Sequence, residues 1–188
     1  YQSYIEERHR KMIALTFDDG PDPTTTPQAL AILKKYNAKA TFFMVGKNVS
    51  ANPDIAKQVR KEGHQIGNHT WDHPQLPKLS LNNAKKEILD TQEAIQKATG
   101  VQTKITRPPY GAINNAIQYS VDQSFIMWDV DSLDWKTHNT TAILNEVKKE
   151  VKPGSIILMH DIHQTTIDAL PTVLDYLKSP GYTFVTVD

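Results

Sequence analysis

The chain has 188 residues, of which 39% are apolar and 22% charged, which is the size and composition of one folded domain. Its 21 basic residues equal its 21 acidic residues, so the formal net charge is zero, and we expect no nucleic-acid partner. Cysteine is absent, which excludes disulfides, thiolate metal sites and cysteine nucleophiles. The longest apolar runs are far shorter than the ~20 residues that a membrane span requires, so we expect no span in this chain.

Apolar runs alternate with helical patterns along the chain. Seven strands are predicted, at Lys11–Phe17, Ala40–Val45, His64–Gly67, Thr103–Thr106, Ser124–Val130, Ser155–Met159 and Tyr182–Val187. Caps and apolar spacing predict helices after Thr26-Pro27, after Asn52-Pro53, after Ser80, over Asn139–Val151 and over Thr165–Leu177, where Pro171 indicates a kink or a late start. Strands that alternate with helices favour a parallel sheet covered by helices. We therefore predict an α/β fold in which residues 1–188 form one domain, a short, distorted (β/α) barrel of about seven parallel strands surrounded by helices.

Ionisable residues directly follow five of the predicted strands. Each cluster has an ordinary structural explanation as a turn, a surface arginine or a packed aromatic residue. In a parallel barrel, however, the carboxyl ends of the strands share one face, where active sites are built. Convergence on that face favours a functional site made of Asp18-Asp19-Gly20-Pro21, His69-Thr70-Trp71-Asp72-His73, Arg107-Pro108-Pro109-Tyr110-Gly111, Asp129 to Trp135, and His160-Asp161.

Two histidines four residues apart, His69 and His73, can lie on one face of a helix and bind a metal ion. Two histidines and a carboxylate leave one coordination position open, as in catalytic sites. This donor set favours Zn²⁺, with Co²⁺, Ni²⁺ or Fe²⁺ as alternatives. A second carboxylate can take a proton from water, and a histidine across the pocket can give one to the leaving group. The residues therefore predict a metal-assisted hydrolase of either an acyl group or a phosphoester.

The five clusters resemble the ordered motifs of the NodB-type polysaccharide deacetylases, carbohydrate esterase family four. The matching stretches are Thr16–Pro21, His69–His73, Arg107–Gly111, Asp131–Trp135 and Leu158–His160. Within that family, the stretch from Ser124 to His163 is most similar to the peptidoglycan N-acetylglucosamine deacetylases of Gram-positive bacteria. The resemblance implies a distorted (β/α) barrel and the metal-dependent removal of N-acetyl groups from a cell-wall N-acetylglucosamine polymer, with peptidoglycan as the expected substrate.

The resemblance also implies roles for the residues of the first three motifs. Asp19, His69 and His73 would hold the metal ion. Asp18 would be the catalytic base that deprotonates the attacking water, and Arg107 would pair with that base.

Further roles are implied for the acid and the acetyl pocket. His160 would be the general acid that protonates the leaving amine, and Asp134 would orient it and tune its pKa. The backbone N–H of Tyr110 would contribute to the oxyanion hole. The acetyl methyl group would be accepted by Pro108, Trp135 and Leu158.

Several alternatives stay open at this point. An acetylxylan esterase and a chitin deacetylase would carry the same motifs. A non-catalytic glycan-binding barrel would be favoured by loss of Asp18 or of a metal ligand, and neither is lost. A metal phosphoesterase would usually carry the ligands of a second metal ion. We expect a monomer that acts outside the cell or at its surface. This location follows from the resemblance alone, since the first residues show no signal-peptide pattern.

Overall fold

A curled parallel sheet forms the centre of the fold in the computed structural model, which describes residues 11–187. The sheet order is β5-β4-β3-β2-β1-β7-β6, and β8 pairs with the first residues of β1. Every strand pair is parallel, so the predicted α/β barrel fold is confirmed. The strands are β1 (Met12–Asp18), β2 (Thr41–Met44), β3 (Gln65–Asn68), β4 (Ile105–Thr106), β5 (Ser124–Phe125), β6 (Val130–Asp131), β7 (Ile156–His160) and β8 (Thr183–Phe184).

Helices surround this sheet. Within the described range they are α1 (Thr25–Lys35), α2 (Gly46–Ala51), α3 (Pro53–Lys61), α4 (Leu81–Thr99), α5 (Asn115–Ser120), α6 (Asp134–Thr137), α7 (Thr140–Glu150) and α8 (Gln164–Lys178). Among residues 11–187, no helix has the length and apolar character that crossing a membrane requires.

Strand β1 separates the apolar core from the polar interior of the curled sheet. Ile13, Leu15 and Phe17 are fully buried in the main apolar cluster, together with residues of α1 and α8. Successive side chains of a strand point to opposite faces. Thr16 and Asp18 therefore face the other side, where they meet polar groups from neighbouring strands.

The predicted ends of several helices are confirmed. The Ser80 hydroxyl accepts a hydrogen bond from the backbone N–H of Asn83, and Gly100 ends α4 in the left-handed conformation with φ 77°. Asn139 caps α7 by accepting from the N–H of Ala142. Proline at the first position of α3 also agrees with the sequence.

Helix α1 begins earlier than predicted. Thr26 lies inside the helix and does not cap it; instead, a carboxylate oxygen of Asp22 accepts the N–H groups of Thr24 and Thr25. The late start that Pro171 suggested for the last helix is also wrong, because α8 begins at Gln164 and continues through the proline. The short helices α2, α5 and α6 were not predicted.

The predicted strand Ser124–Val130 is two strands, β5 and β6, and residues 126–129 connect them. These two strands are the ends of the sheet order, so in the described part of the chain the sheet is open between them. Other strands extend one residue further toward the carboxyl end than predicted, which places Asp18, Asn68 and His160 inside the ladder.

Candidate active site

The carboxylates of Asp18 and Asp19, at the end of β1, reach the same cavity because the chain turns sharply there. Asp18, the last residue of β1, is 3% exposed, whereas Asp19 lies beyond the strand with φ 80°. A side chain other than glycine is strained in this conformation, so the surroundings must hold it. The side chain of Asn48 donates to the carbonyl of Asp19 at 2.8 Å, and the N–H of Val45 donates to the carbonyl of Gly20 at 2.9 Å.

Arg107 holds Asp18 from the interior of the sheet. Its Nη1 donates to Asp18 Oδ1 at 2.9 Å and to Thr16 Oγ1 at 2.7 Å. Its Nε and Nη2 donate to the carbonyls of Ile126 and Met127, at 3.2 and 2.9 Å, in the connection between β5 and β6. The guanidinium is fully buried, so the alternative of a surface arginine is wrong. It links β1 to the chain at the opening of the sheet.

Asp19, His69 and His73 form a group that could hold a metal ion, since one donor atom from each lies within 4.8 Å of the others. Asp19 Oδ1 is 3.2 Å from His69 Nε2 and 3.4 Å from His73 Nε2. The Nδ1–H of His69 donates to the carbonyl of Arg107 at 2.7 Å, which leaves the Nε2 lone pair directed at Asp19. Both Asp19 Oδ1 and His69 Nε2 are buried without a hydrogen-bond partner among the described residues. Two unpaired acceptor atoms that face each other in this way are suited to binding one cation between them.

The two histidines do not lie on a helix, contrary to the expectation from their spacing. They lie in the loop after β3, where Thr70 and His73 have φ values of 70° and 66°. The loop is held by Asn68 Oδ1, which accepts from the N–H of Thr70, and by the Glu87 carboxylate, which accepts from the N–H of Trp71. These turns bring the two imidazole rings to a centroid separation of 4.9 Å.

The charges of this group are strongly coupled. Burial raises the pKa of Asp19, but the close contact with His69 and the charge of that ring outweigh it and lower the pKa to about 2. Burial lowers the pKa of His69, but the charges of Asp18 and Asp19 outweigh it and raise the pKa. Two carboxylates thus favour a positive charge at the position between them, as a metal site requires.

Across the cavity, His160 ends β7 and is bound to Asp134. Its Nδ1 lies 2.8 Å from Asp134 Oδ1, and its backbone N–H donates to Asp134 Oδ2 at 2.7 Å. The Thr166 hydroxyl and the N–H of Trp135 also donate to the Asp134 carboxylate, both at 2.8 Å. Burial lowers the pKa of His160, but Asp134 outweighs it and raises the pKa to about 9. The imidazolium is therefore favoured at neutral pH, with Nε2 3.9 Å from Asp19 Oδ2.

These groups surround one cavity of about 390 Å³. Nine of the eleven site residues predicted from the sequence line it, and Arg107 and Asp134 lie behind them, fully buried. Two lining residues, Trp128 and Asp131, had no predicted role; Asp131 belonged to a recognised cluster, whereas Trp128 carried no signal beyond its place in an apolar run. The lining residues are Asp18, Asp19, His69, His73, Pro108, Tyr110, Trp128, Asp131, Trp135, Leu158 and His160.

Besides Asp134, three acidic residues of the sequence clusters do not line the cavity. Asp129 exchanges hydrogen bonds with Ile156, at the amino end of β7 and away from the site. The backbone N–H of Asp72 donates to Glu87 at 3.3 Å. Asp161 is buried against α1, and burial raises the pKa of its carboxyl group to about 7.

The outer part of the cavity is formed by aromatic side chains. Tyr110 is 65% exposed, has φ 62° and stacks edge-on against His73 with 4.9 Å between ring centroids. Trp135 is 49% exposed, and its Nε1 donates to the Asp131 carboxylate at 3.3 Å. Exposed aromatic faces beside a polar cavity are suited to packing against a sugar ring.

Similarity to known proteins agrees with this geometry. The family model described as polysaccharide deacetylase matches residues 5–124. A peptidoglycan-N-acetylglucosamine deacetylase of Listeria monocytogenes is 48% identical over 95% of this chain, which spans 38% of that relative's length. A peptidoglycan-N-acetylglucosamine deacetylase of Bacillus cereus is 41% identical, and the match covers 100% of this chain and 91% of that relative's length. The structure of the peptidoglycan deacetylase PdaC from Bacillus subtilis superposes with a TM-score of 0.92 at 44% identity, over 95% of this chain and 88% of that one. This chain therefore belongs to the polysaccharide deacetylase family.

Proposed function

We propose that this chain is a metal-dependent deacetylase that removes N-acetyl groups from N-acetylglucosamine residues of a cell-wall polysaccharide, with peptidoglycan as its polymer. One observation carries this proposal: a buried carboxylate, a three-donor metal group and a carboxylate-bound histidine surround the same cavity. The names of the similar proteins support the choice of polymer. Residues 1–188 are proposed to form one catalytic domain that works as a monomer, outside the cell or at its surface.

Asp19, His69 and His73 would hold one divalent ion, for which the two nitrogens and one oxygen favour Zn²⁺ over Co²⁺, Ni²⁺ or Fe²⁺. When bound, such an ion supplies Lewis acidity, which polarises the acetyl carbonyl and makes water more acidic. The Arg107 carbonyl fixes the tautomer of His69, which is how protein groups behind a metal site orient its ligands.

Asp18 is proposed as the general base. Its Oδ1 is occupied by Arg107, while Oδ2 lies 3.6 Å from His69 Nε2 on the cavity side. The carboxylate would take a proton from the attacking water as the oxygen–carbon bond forms. Arg107 holds the carboxylate in place through this step, because its Nε and Nη2 are anchored to backbone carbonyls.

His160 is proposed as the general acid. Collapse of the tetrahedral intermediate breaks the carbon–nitrogen bond, and the proton on His160 Nε2 would pass to the departing nitrogen, which leaves acetate and a free amine. An amine is a poor leaving group unless it is protonated, so the raised pKa of His160 suits this role. Asp134 keeps the ring oriented by binding its Nδ1 side.

The remaining lining residues would select the acyl group. Pro108, Leu158 and Trp135 are proposed to enclose the acetyl methyl group, and a larger acyl chain would overfill this packed space. The backbone N–H of Tyr110 is proposed as a donor to the developing oxyanion.

The test is acetate release from N-acetylglucosamine oligomers, intact peptidoglycan and acetylated xylan, with wild type and with Asp18→Asn as the matched control. Release from the first two, abolished by chelation and restored by Zn²⁺, is expected. Release from xylan alone would instead make the chain an acetylxylan esterase. Glycan binding without any release would make it a non-catalytic barrel.

A further inference from the structure

We propose that Asp161 and Thr26 are positioning residues that hold the turn from Asp19 to Asp22, and that they thereby set the direction of the Asp19 carboxylate. This inference rests on the proposed role of Asp19 as a metal ligand. Neither residue lines the cavity, and both are buried, Asp161 at the end of β7 and Thr26 in the first turn of α1.

A chain of hydrogen bonds connects the two residues to the turn. The Thr26 hydroxyl donates to Asp161 Oδ2 at 2.5 Å and accepts the backbone N–H of Asp22 at 2.8 Å. The N–H of Thr26 also donates to the carbonyl of Asp22 at 3.2 Å. The turn is therefore tied to β7 through one buried hydroxyl group.

The Asp161 carboxylate also forms the floor beneath Gly20. A Cβ atom placed on Gly20 would lie 2.4 Å from Asp161 Oδ2 and 2.8 Å from Oδ1. Glycine is thus required here by direct contact with the acid, although its φ is not in the left-handed region. Asp161 Oδ1 has no hydrogen-bond partner among residues 11–187, so the carboxylate is kept in this place at a cost in desolvation.

Asp19 needs such support because it is the strained residue of the turn. A non-glycine residue at φ 80° persists only where its surroundings determine its conformation. Asn48 and Val45 hold the turn from the side of α2. The link from Asp161 through Thr26 holds it from α1 and the residue after β7. Without that link the turn could relax, and Asp19 Oδ1 would move away from His69 and His73.

The experiment compares Thr26→Val, which removes the hydroxyl but keeps the shape, with Thr26→Ser, which keeps the hydroxyl. Asp161→Ala tests the other end of the link independently. Zn²⁺ affinity of each metal-free protein is measured by competition with a chromogenic chelator, alongside kcat and KM on N-acetylglucosamine oligomers and the melting temperature.

We expect Thr26→Val and Asp161→Ala to bind Zn²⁺ about 10-fold more weakly, as is typical when groups behind a metal ligand are removed. Their kcat should fall while KM stays unchanged, and Thr26→Ser should match wild type in affinity. If Thr26→Val and Asp161→Ala both bind Zn²⁺ as tightly as wild type and differ from it only in a lower melting temperature, the proposal is overturned. If one of the two fails to fold, the affinity of the other decides. Absence of acetate release from wild type would count against the proposed function, and the Zn²⁺ affinities would still decide the role of this link.

Discussion

Arg107 Nη1 and Asp18 Oδ1 form a 2.9 Å ion pair between two buried side chains, of which only Asp18 lines the cavity. A buried charge pair is tolerated only when its remaining polar atoms are satisfied. Thr16, Ile126 and Met127 accept three of the other four N–H groups of the guanidinium, and its Cζ lies 4.3 Å from the centre of the Phe43 ring. One side chain therefore both fixes the proposed base and connects β1 to the segment between β5 and β6, where the sheet is open.

The role of the base predicts the effect of Asp18→Asn. The amide oxygen can still accept from Arg107, so the variant should fold and retain bound Zn²⁺. Because an amide cannot take a proton from water, kcat on N-acetylglucosamine oligomers should fall by ~10²–10⁴-fold. Elemental analysis and steady-state kinetics on the same sample check both halves. Turnover close to that of wild type would show that Asp18 has only a structural role, as the partner of Arg107.

The metal group predicts that His69→Ala loses bound metal together with activity. The buried Nε2 of its imidazole can bind a metal ion and has no hydrogen-bond partner in the part of the chain described. The matched control is His138→Ala, because His138 is exposed and does not line the cavity. Zn²⁺ content after dialysis should fall only in the first variant. Full occupancy in His69→Ala would remove that residue from the ligand set.

The acid role predicts a dependence on the leaving group. His160→Ala should damage amide hydrolysis far more than hydrolysis of an activated aryl acetate, because an aryl oxide leaves without a proton and an amine does not. Asp134→Asn should show the same bias in milder form, since it removes the charge that raises the pKa of His160. The measurement is kcat/KM on both substrates for both variants. Equal losses on amide and ester would assign His160 to positioning of substrate or metal.

His64 predicts a pH dependence of stability that is unrelated to catalysis. The backbone N–H of Ala40 donates to His64 Nδ1 at 3.1 Å, and burial, followed by the charge of Lys39, lowers the pKa of His64 to about 4. Between pH 6.5 and about 4 the unfolded chain binds this proton and the folded chain does not, so stability falls as the pH falls through that window.

In His64→Asn the amide oxygen can still accept from Ala40, but the titrating group is gone. The free energy of unfolding of wild type, relative to this variant, should therefore drop by about 2 kcal/mol between pH 7 and pH 4. The effect is smaller than the full pKa shift implies, because the ring borders a cavity at the surface and its charge is partly screened. Urea unfolding at several pH values measures it, and a difference that does not change with pH would contradict the prediction.

Much of the site could be predicted because polar residues interrupt apolar strands at their carboxyl ends. Asp18 and His160 followed from this rule, and the parallel register places their Cα atoms opposite each other. Asp129 shows the limit of the rule. It belongs to the fourth cluster only if residues 124–130 form one strand, and the break between β5 and β6 puts it at the opposite end of the sheet.

The features that were missed depend on contacts distant in sequence. Helix α2 has no side-chain cap, and the N–H groups of Gly46 and Lys47 instead donate to the carbonyls of Thr70 and Trp71. The break after β5 similarly reflects the carbonyls of residues 126 and 127, which turn toward Arg107. Neither partner is visible in the local pattern of apolar residues.

The pairing of Asp18 with His160 has a consequence for how this chain tolerates insertions and deletions. Along β7, Leu158 and His160 face the cavity, whereas Ile157 and Met159 belong to the apolar core. Loss of one residue within β7 would invert this alternation beyond the deletion. Asp161 would then take the place of the imidazole at the cavity, and the ring of His160 would take the place of Met159 in the apolar core. Changes of length in this chain are therefore expected in the loops, and β7 is expected to tolerate substitution but no change of length.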